Sequence, residues 1–249
     1  MFTPSLVFAY WMRGSIMRIF YGIPRAAILL LMRYVIYGAG AIGGCLGARL
    51  FASGREVALI ARGPHLAAIQ ERGLTLRTPE GEATHRIPAA GHPSEVDWRD
   101  GDIVLLTVKS QDTAGALDAL RAAAGDVPVV CAQNGVANER MAVRLFSRVY
   151  GMVVVMPSTH LEPGLVLMHS ETPGGMLDLG RYPEGRDQTA EAVAEDITAA
   201  GFICQADPRI MRLKYAKLLT NLMNSVQALC GLEAAAGDIV RGVRGEAMA

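Results

Sequence analysis

The chain has 249 residues, of which 51% are hydrophobic, and its 24 basic residues balance 24 acidic ones. That much apolar material builds one large globular domain or two smaller ones and excludes a disordered chain. A formal net charge of zero leaves no global field to attract nucleic acid or an anionic membrane, so an anionic ligand must be held by local groups.

In chain order, the first segment, MFTPSLVFAYWMRGSIMRIFYGIPRAAILLL (1–31), is apolar but interrupted by Arg13, Arg18, Arg25, Gly14, Gly22 and Pro24. No run approaches the roughly 20 apolar residues of a membrane span, and no cleavage site follows an apolar block as in a signal peptide. Met32 stands directly before the first strand and reads as a second start. The leader is therefore expected to lie outside the native fold, as an upstream translation artefact, with a membrane-associating helix as the rival reading.

From Met32 the pattern alternates: strand YVIYGAG, a helix over 42–53, strand EVALIAR, helix HLAAIQERG, a hairpin-like stretch LTLRTPEGEATHRIP and strand DIVLLTVK. A helix over 114–124, strand PVVCAQN, a helix over 138–146 and strand VYGMVVVMP follow. Continuous Val/Ile/Leu strands separated by helices predict a Rossmann-type, doubly wound α/β sheet covered on both faces. Residues 159–180 read as two short strands joined by Pro and Gly turns, most simply an antiparallel edge. After helix QTAEAVAEDITAAG and Pro208 the pattern stays helical from 209 to 232. The predicted organisation is a dinucleotide-binding domain over 32–207 and the start of an all-helical domain over 208–249.

The chemistry concentrates at the strand ends. In GAGAIGG, Gly38, Gly40 and Gly43 fit GxGxxG after a strand and at the mouth of a helix, the context that motif requires. Gly38 permits the tight turn, Gly40 lets a pyrophosphate approach, and Gly43 lets helix and strand pack closely. The predicted cradle is Gly38, Ala39, Gly40, Ala41, Ile42 and Gly43; the bland alternative is an ordinary glycine-rich turn. About twenty residues on, where NAD binders carry Asp or Glu, stands Arg62. A guanidinium there favours a 2′-phosphate and hence NADP, against the plain reading of a solvated strand-end arginine.

Farther on, Lys217 and Asn221 lie one helical turn apart and share a face. Cys45, Cys131, Cys204 and Cys230 form no CxxC or Cys/His cluster and read as buried free thiols, which suits a reducing cytoplasm. No spacing among the five histidines predicts a metal site. His65 is placed at a helix start near the adenosine phosphate, without a catalytic role.

Taken together, GAGAIGG, LIARGPHLAAIQERGLTLR, TVKSQDT, CAQNGVANE and YAKLLTNLMNS resemble the ketopantoate reductase family over 32–232. The resemblance implies that NADPH reduces the C2 ketone of an α-keto acid, on the route to pantothenate and coenzyme A. It implies Lys217 as catalytic general acid and Asn221 as its substrate-binding neighbour, with Asn224 or Ser225 supplying a further polar contact. It also implies Lys109 and Asn134 beside the nicotinamide. As plain alternatives, Lys214 and Lys217 form a solvated helix face, Lys109 is a surface lysine and Asn134-Gly135 a simple turn.

The family's helical domain normally continues well beyond the KxxxN helix, whereas this chain stops at Ala249. An incomplete helical domain is therefore expected, with Leu213, Leu218, Leu222, Val226 and Leu229 short of covering partners and inviting association, as a homo-oligomer or with a completing chain. Two other functions stand beside the reductase: a non-catalytic NADP-binding remnant, and a β-hydroxyacid-type dehydrogenase, against which KSQDT and QNGVANE argue.

Overall fold

The computed structural model describes residues 32–231 and 238–248. The predicted leader at 1–31 lies outside the described residues. Strand β1 (Arg33–Tyr37), helix α1 (Ala41–Ala52), β2 (Glu56–Ile60) and α2 (Gly63–Arg72) open the fold. A hairpin of β3 (Leu74–Thr78) and β4 (Gly81–His85) follows, then a short β5 (Ala89–Ala90) and β6 (Asp102–Leu106). Next come α3 (Thr113–Ala124), β7 (Val129–Cys131), α4 (Asn138–Ala142) and β8 (Val149–Met152). The chain continues through β9 (Ser158–Thr159), β10 (Leu165–Met168), β11 (Leu179–Arg181), α5 (Gln188–Ala199), α6 (Ile210–Cys230) and α7 (Asp238–Met248).

The main sheet has seven strands in the order β11-β8-β7-β6-β1-β2-β5, with antiparallel pairing confined to β11 against β8. This is the doubly wound α/β plan. Apolar runs become central strands because both faces are covered: Tyr34 and Ile36 point into one core with Leu46, Leu50 and Leu59, while Val35 points into the other with Val104, Leu117 and Leu120. Between β1 and β6 the chain order reverses, and the crevice at the carboxyl ends of those strands is where open α/β sheets bind ligands.

The region over 159–180 departs from expectation. Its two strands do not pair with each other. Strand β11 forms the antiparallel edge of the main sheet, whereas β10 enters a second sheet, β4-β3-β10-β9, parallel to β3. The reason is packing: Val166 of β10 is fully buried, and a Cβ on Gly44 of α1 would lie 2.7 Å from its Cγ1. The second sheet therefore covers the outer side of α1, which a two-stranded edge would leave open. Helix α4 also ends earlier than predicted, at Ala142.

Helix α6 lies against β8 and β11 and meets α7. Its Leu213, Leu218 and Leu222 are half-buried, while the side chains of Val226 and Leu229 lie outside the described set. Among the described residues no helix is long and apolar enough to cross a membrane.

Candidate active site

The glycine turn joins β1 to α1. Gly38 has φ +110, and a Cβ there would lie 2.8 Å from the Val108 amide nitrogen, so the turn closes only without a side chain. A Cβ on Gly43 would lie 2.3 Å from the Gly38 carbonyl oxygen and 2.4 Å from Thr107 Oγ1. Thr107 fixes the turn from the next strand by donating from Oγ1 to the Gly38 carbonyl at 2.8 Å. The Gly38 and Ala39 N–H groups are used internally, both donating to the Ile60 carbonyl. Those of Ala41, Ile42 and Gly43 begin α1, where no intrahelical acceptor exists, and a Cβ on Gly40 would meet nothing within 4 Å. A bare approach and unpaired N–H donors at a helix N-terminus are what a dinucleotide pyrophosphate needs, and the residues fit that group.

Arg62 precedes α2 at the carboxyl end of β2; its side chain is 83% exposed and its guanidinium pairs with Asp112 Oδ2 at 2.8 Å. Lys109 is exposed on the loop after β6, immediately before the short turn Ser110–Asp112.

Where β7 and β8 end, α6 brings its lysines back to the sheet. Lys217 Nζ donates to Asn134 Oδ1 at 2.7 Å and to the Val154 carbonyl. Burial, and then the positive charge of Lys214, lower the Lys217 pKa from the ordinary lysine value. Lys217, Asn221, Asn134 and Gly135 line one small cleft together with Met152 and Leu218. Asn224 is exposed and Lys109 is also absent from that lining; the Ser225 side chain lies outside the described set.

Three features escaped the sequence reading. Lys214, grouped with Lys217 as a solvated face in the plain reading, is buried: it forms an ion pair with Glu139 and donates to the Gln133 carbonyl at 3.0 Å. Gly151 lies against that pair, where a Cβ would make ordinary contacts of 3.4 Å with both Glu139 Oε1 and Lys214 Cδ. Secondly, a polar chain locks the loops after β6 and β7. Gln133 Nε2 donates to Thr113 Oγ1 at 2.8 Å, Thr113 Oγ1 to Asn138 Oδ1 at 3.0 Å, and Asn138 Nδ2 to the Asn134 carbonyl at 3.1 Å. The only sequence signal for either was the NGxxNE spacing, which seats Asn138 and Glu139 on one short helix. Thirdly, His65 is buried beneath the glycine turn, with Nε2 2.7 Å from the Ala39 carbonyl. Its position at a helix start was legible; that contact was not.

Comparison with known proteins places this geometry. The family model described as Ketopantoate reductase PanE/ApbA matches residues 34–184. A 2-dehydropantoate 2-reductase of Pyrococcus horikoshii is 34% identical over 190 residues, covering 76% of this chain and 61% of the relative. The chain thus spans about three fifths of that relative's length, and of the Pyrococcus abyssi one. Among solved structures, a PanE/ApbA family ketopantoate reductase from Ralstonia eutropha superposes with TM-score 0.74 at 31% identity, covering 86% of this chain and 71% of that one. A D-mandelate dehydrogenase solved with NADH and anilino(oxo)acetate shares the fold, with TM-score 0.69 at 22% identity over 87% of this chain and 79% of that one.

Proposed function

The chain belongs to the ketopantoate reductase family, and we propose that it reduces an α-keto acid with NADPH, 2-dehydropantoate to pantoate being the reaction that its relatives' name implies. The observation that carries this reading is the half-buried Lys217 ammonium held 2.7 Å from Asn134 Oδ1 at the carboxyl edge of the sheet.

In this reading residues 32–207 bind the cofactor and the helices from 210 onward begin the substrate unit. The reduced nicotinamide, when bound, supplies the hydride that C2 of the keto acid accepts. The first-turn N–H groups of α1 hold its pyrophosphate, and Arg62 turns from Asp112 toward the 2′-phosphate. An ammonium has three hydrogens; Asn134 Oδ1 and the Val154 carbonyl accept two, which aims the third at the cleft. Lys217 gives that proton to the ketone oxygen as negative charge develops there, and Asn221, on the same helix face, hydrogen-bonds the substrate. Lys109 at the neighbouring strand end contacts cofactor or substrate at the rim, and Asn224 or Ser225 extends the polar face of α6. Buried thiols at Cys45, Cys131 and Cys204 accord with a cytoplasmic enzyme.

The test is a fluorescence titration with NADPH, followed by 2-dehydropantoate addition while cofactor absorbance is monitored. Saturable binding with oxidation, abolished in Lys217→Ala, is the expected result. Binding with no oxidation refutes the reductase and leaves an NADP-binding protein.

A further inference from the structure

His65 sits in the first turn of α2, 8% exposed, and touches three groups from two other parts of the chain. Its Nε2 lies 2.7 Å from the Ala39 carbonyl oxygen in the glycine turn. Its Nδ1 accepts from the Gly164 N–H at 2.9 Å and lies 3.0 Å from His160 Nε2. A backbone N–H only donates, so Nδ1 is an acceptor and the ring's hydrogen is on Nε2, donated to Ala39. Gly164 is built for this approach: its φ is +81, and a Cβ on it would lie 3.0 Å from Ala68 Cβ of α2.

We propose that His65 is a positioning residue of the cofactor site, a neutral imidazole that ties the Ala39 carbonyl to the Gly164 turn and so sets the aim of the N–H groups at the start of α1. Because a peptide unit is planar, holding the Ala39 carbonyl fixes the plane through Gly40, the residue that caps α1. The inference rests on the reading that this turn holds a dinucleotide.

Protonation would place an N–H at Nδ1, opposite the Gly164 N–H and the His160 ring, and break the tie. Burial lowers the His65 pKa, opposed in part by the bond to Ala39; burial and then His65 lower that of His160. Among charged groups on the surrounding elements, Arg62 is engaged by Asp112, Glu162 on the Gly164 loop is exposed, and Arg72, from the last turn of α2, brings Nη2 to 3.8 Å from where a Cβ on Gly164 would lie, so the charge nearest that turn is positive. The proton-free state is therefore the binding state. In the folded protein that state is lost only below the ordinary imidazole value near 6.5, as pH falls through the lowered one.

The experiment is calorimetric titration of the full chain with NADP⁺ and, separately, NAD⁺, across mildly acidic to neutral pH. NAD⁺ is needed because a 2′-phosphate itself titrates near pH 6. For both dinucleotides the wild-type Kd should rise at least tenfold through the acid range. His65→Gln, which keeps an N–H donor but cannot titrate, should bind several-fold more weakly at neutral pH with a flat profile. His65→Ala should bind tenfold or more weakly than the wild type at neutral pH, with the gap closing as the wild type weakens in acid, while its circular dichroism stays that of the wild type. Identical pH profiles for wild type and His65→Gln overturn the inference alone. Binding of neither dinucleotide at any pH overturns the cofactor reading and this inference with it.

Discussion

At the residue scale the proposed reduction rests on Lys217. Its replacement by Ala should lower kcat/KM for keto-acid reduction by about 10²–10⁴-fold, the range for loss of a positioned acid, with dinucleotide affinity changed far less. Because burial and the Lys214 charge lower its pKa, the ammonium is lost at a lower pH than for an exposed lysine. The pH profile of kcat/KM should therefore fall on its alkaline side before the usual lysine value near 10.4 is reached; a profile that stays level to that point would count against Lys217 as the acid. Arg62→Gln should weaken NADPH binding by roughly 10- to 100-fold, as expected for one charge-assisted contact, and leave NADH binding unchanged. Equal losses for the two cofactors would remove the 2′-phosphate role. The glycine turn and the place of Arg62 at the end of β2 were legible in the sequence because the one is demanded by local backbone geometry and the other follows from spacing along a strand. The burial of Lys214 was not, since lysines usually face solvent and its carboxylate partner lies on another element.

At the scale of elements, the Lys214–Glu139 pair fastens α6 to the segment after β7, and with it the lysine one turn farther on. Lys214→Met would strand a buried carboxylate and should destabilise the protein by about 3–5 kcal/mol, whereas Lys214→Met combined with Glu139→Leu should recover most of that loss. Urea denaturation of the two variants decides it: a single variant as stable as the wild type would show that the pair does not hold the helix. Gly43→Ala would force a Cβ against the Gly38 carbonyl, which is backbone and cannot swing aside. A loss of about 1–3 kcal/mol is expected, together with loss of NADPH binding. Helices and parallel strands were readable from period and apolar run length, but the pairing of β10 with β3 was not. A parallel partner some ninety positions away leaves no mark in either strand's own pattern.

For the whole molecule, the reversal of strand order between β1 and β6 puts the glycine turn, the Arg62 end of β2 and the Lys217 cleft along one carboxyl-end rim of the sheet. A ligand held along that rim bridges α1, β2 and the segment after β7, so binding should stabilise the fold globally. NADPH at about 100 times its Kd should add about 2.7 kcal/mol, read as a rise in melting temperature that vanishes in the Gly43→Ala variant. The margins of the two sheets carry a different consequence. Strand β5 is two residues long and β11 three; in the second sheet β9 has two, and β4, GEATH, is largely solvent-exposed and carries a glutamate. A row of free peptide groups on a long, flat, apolar border is what recruits foreign strands into fibrils. Here the borders are stubs or polar, so the Val- and Leu-rich interior strands are kept from templating growth while the fold is intact. Among the described residues, a strand able to template a fibril would be released only by the unfolding of the parallel core.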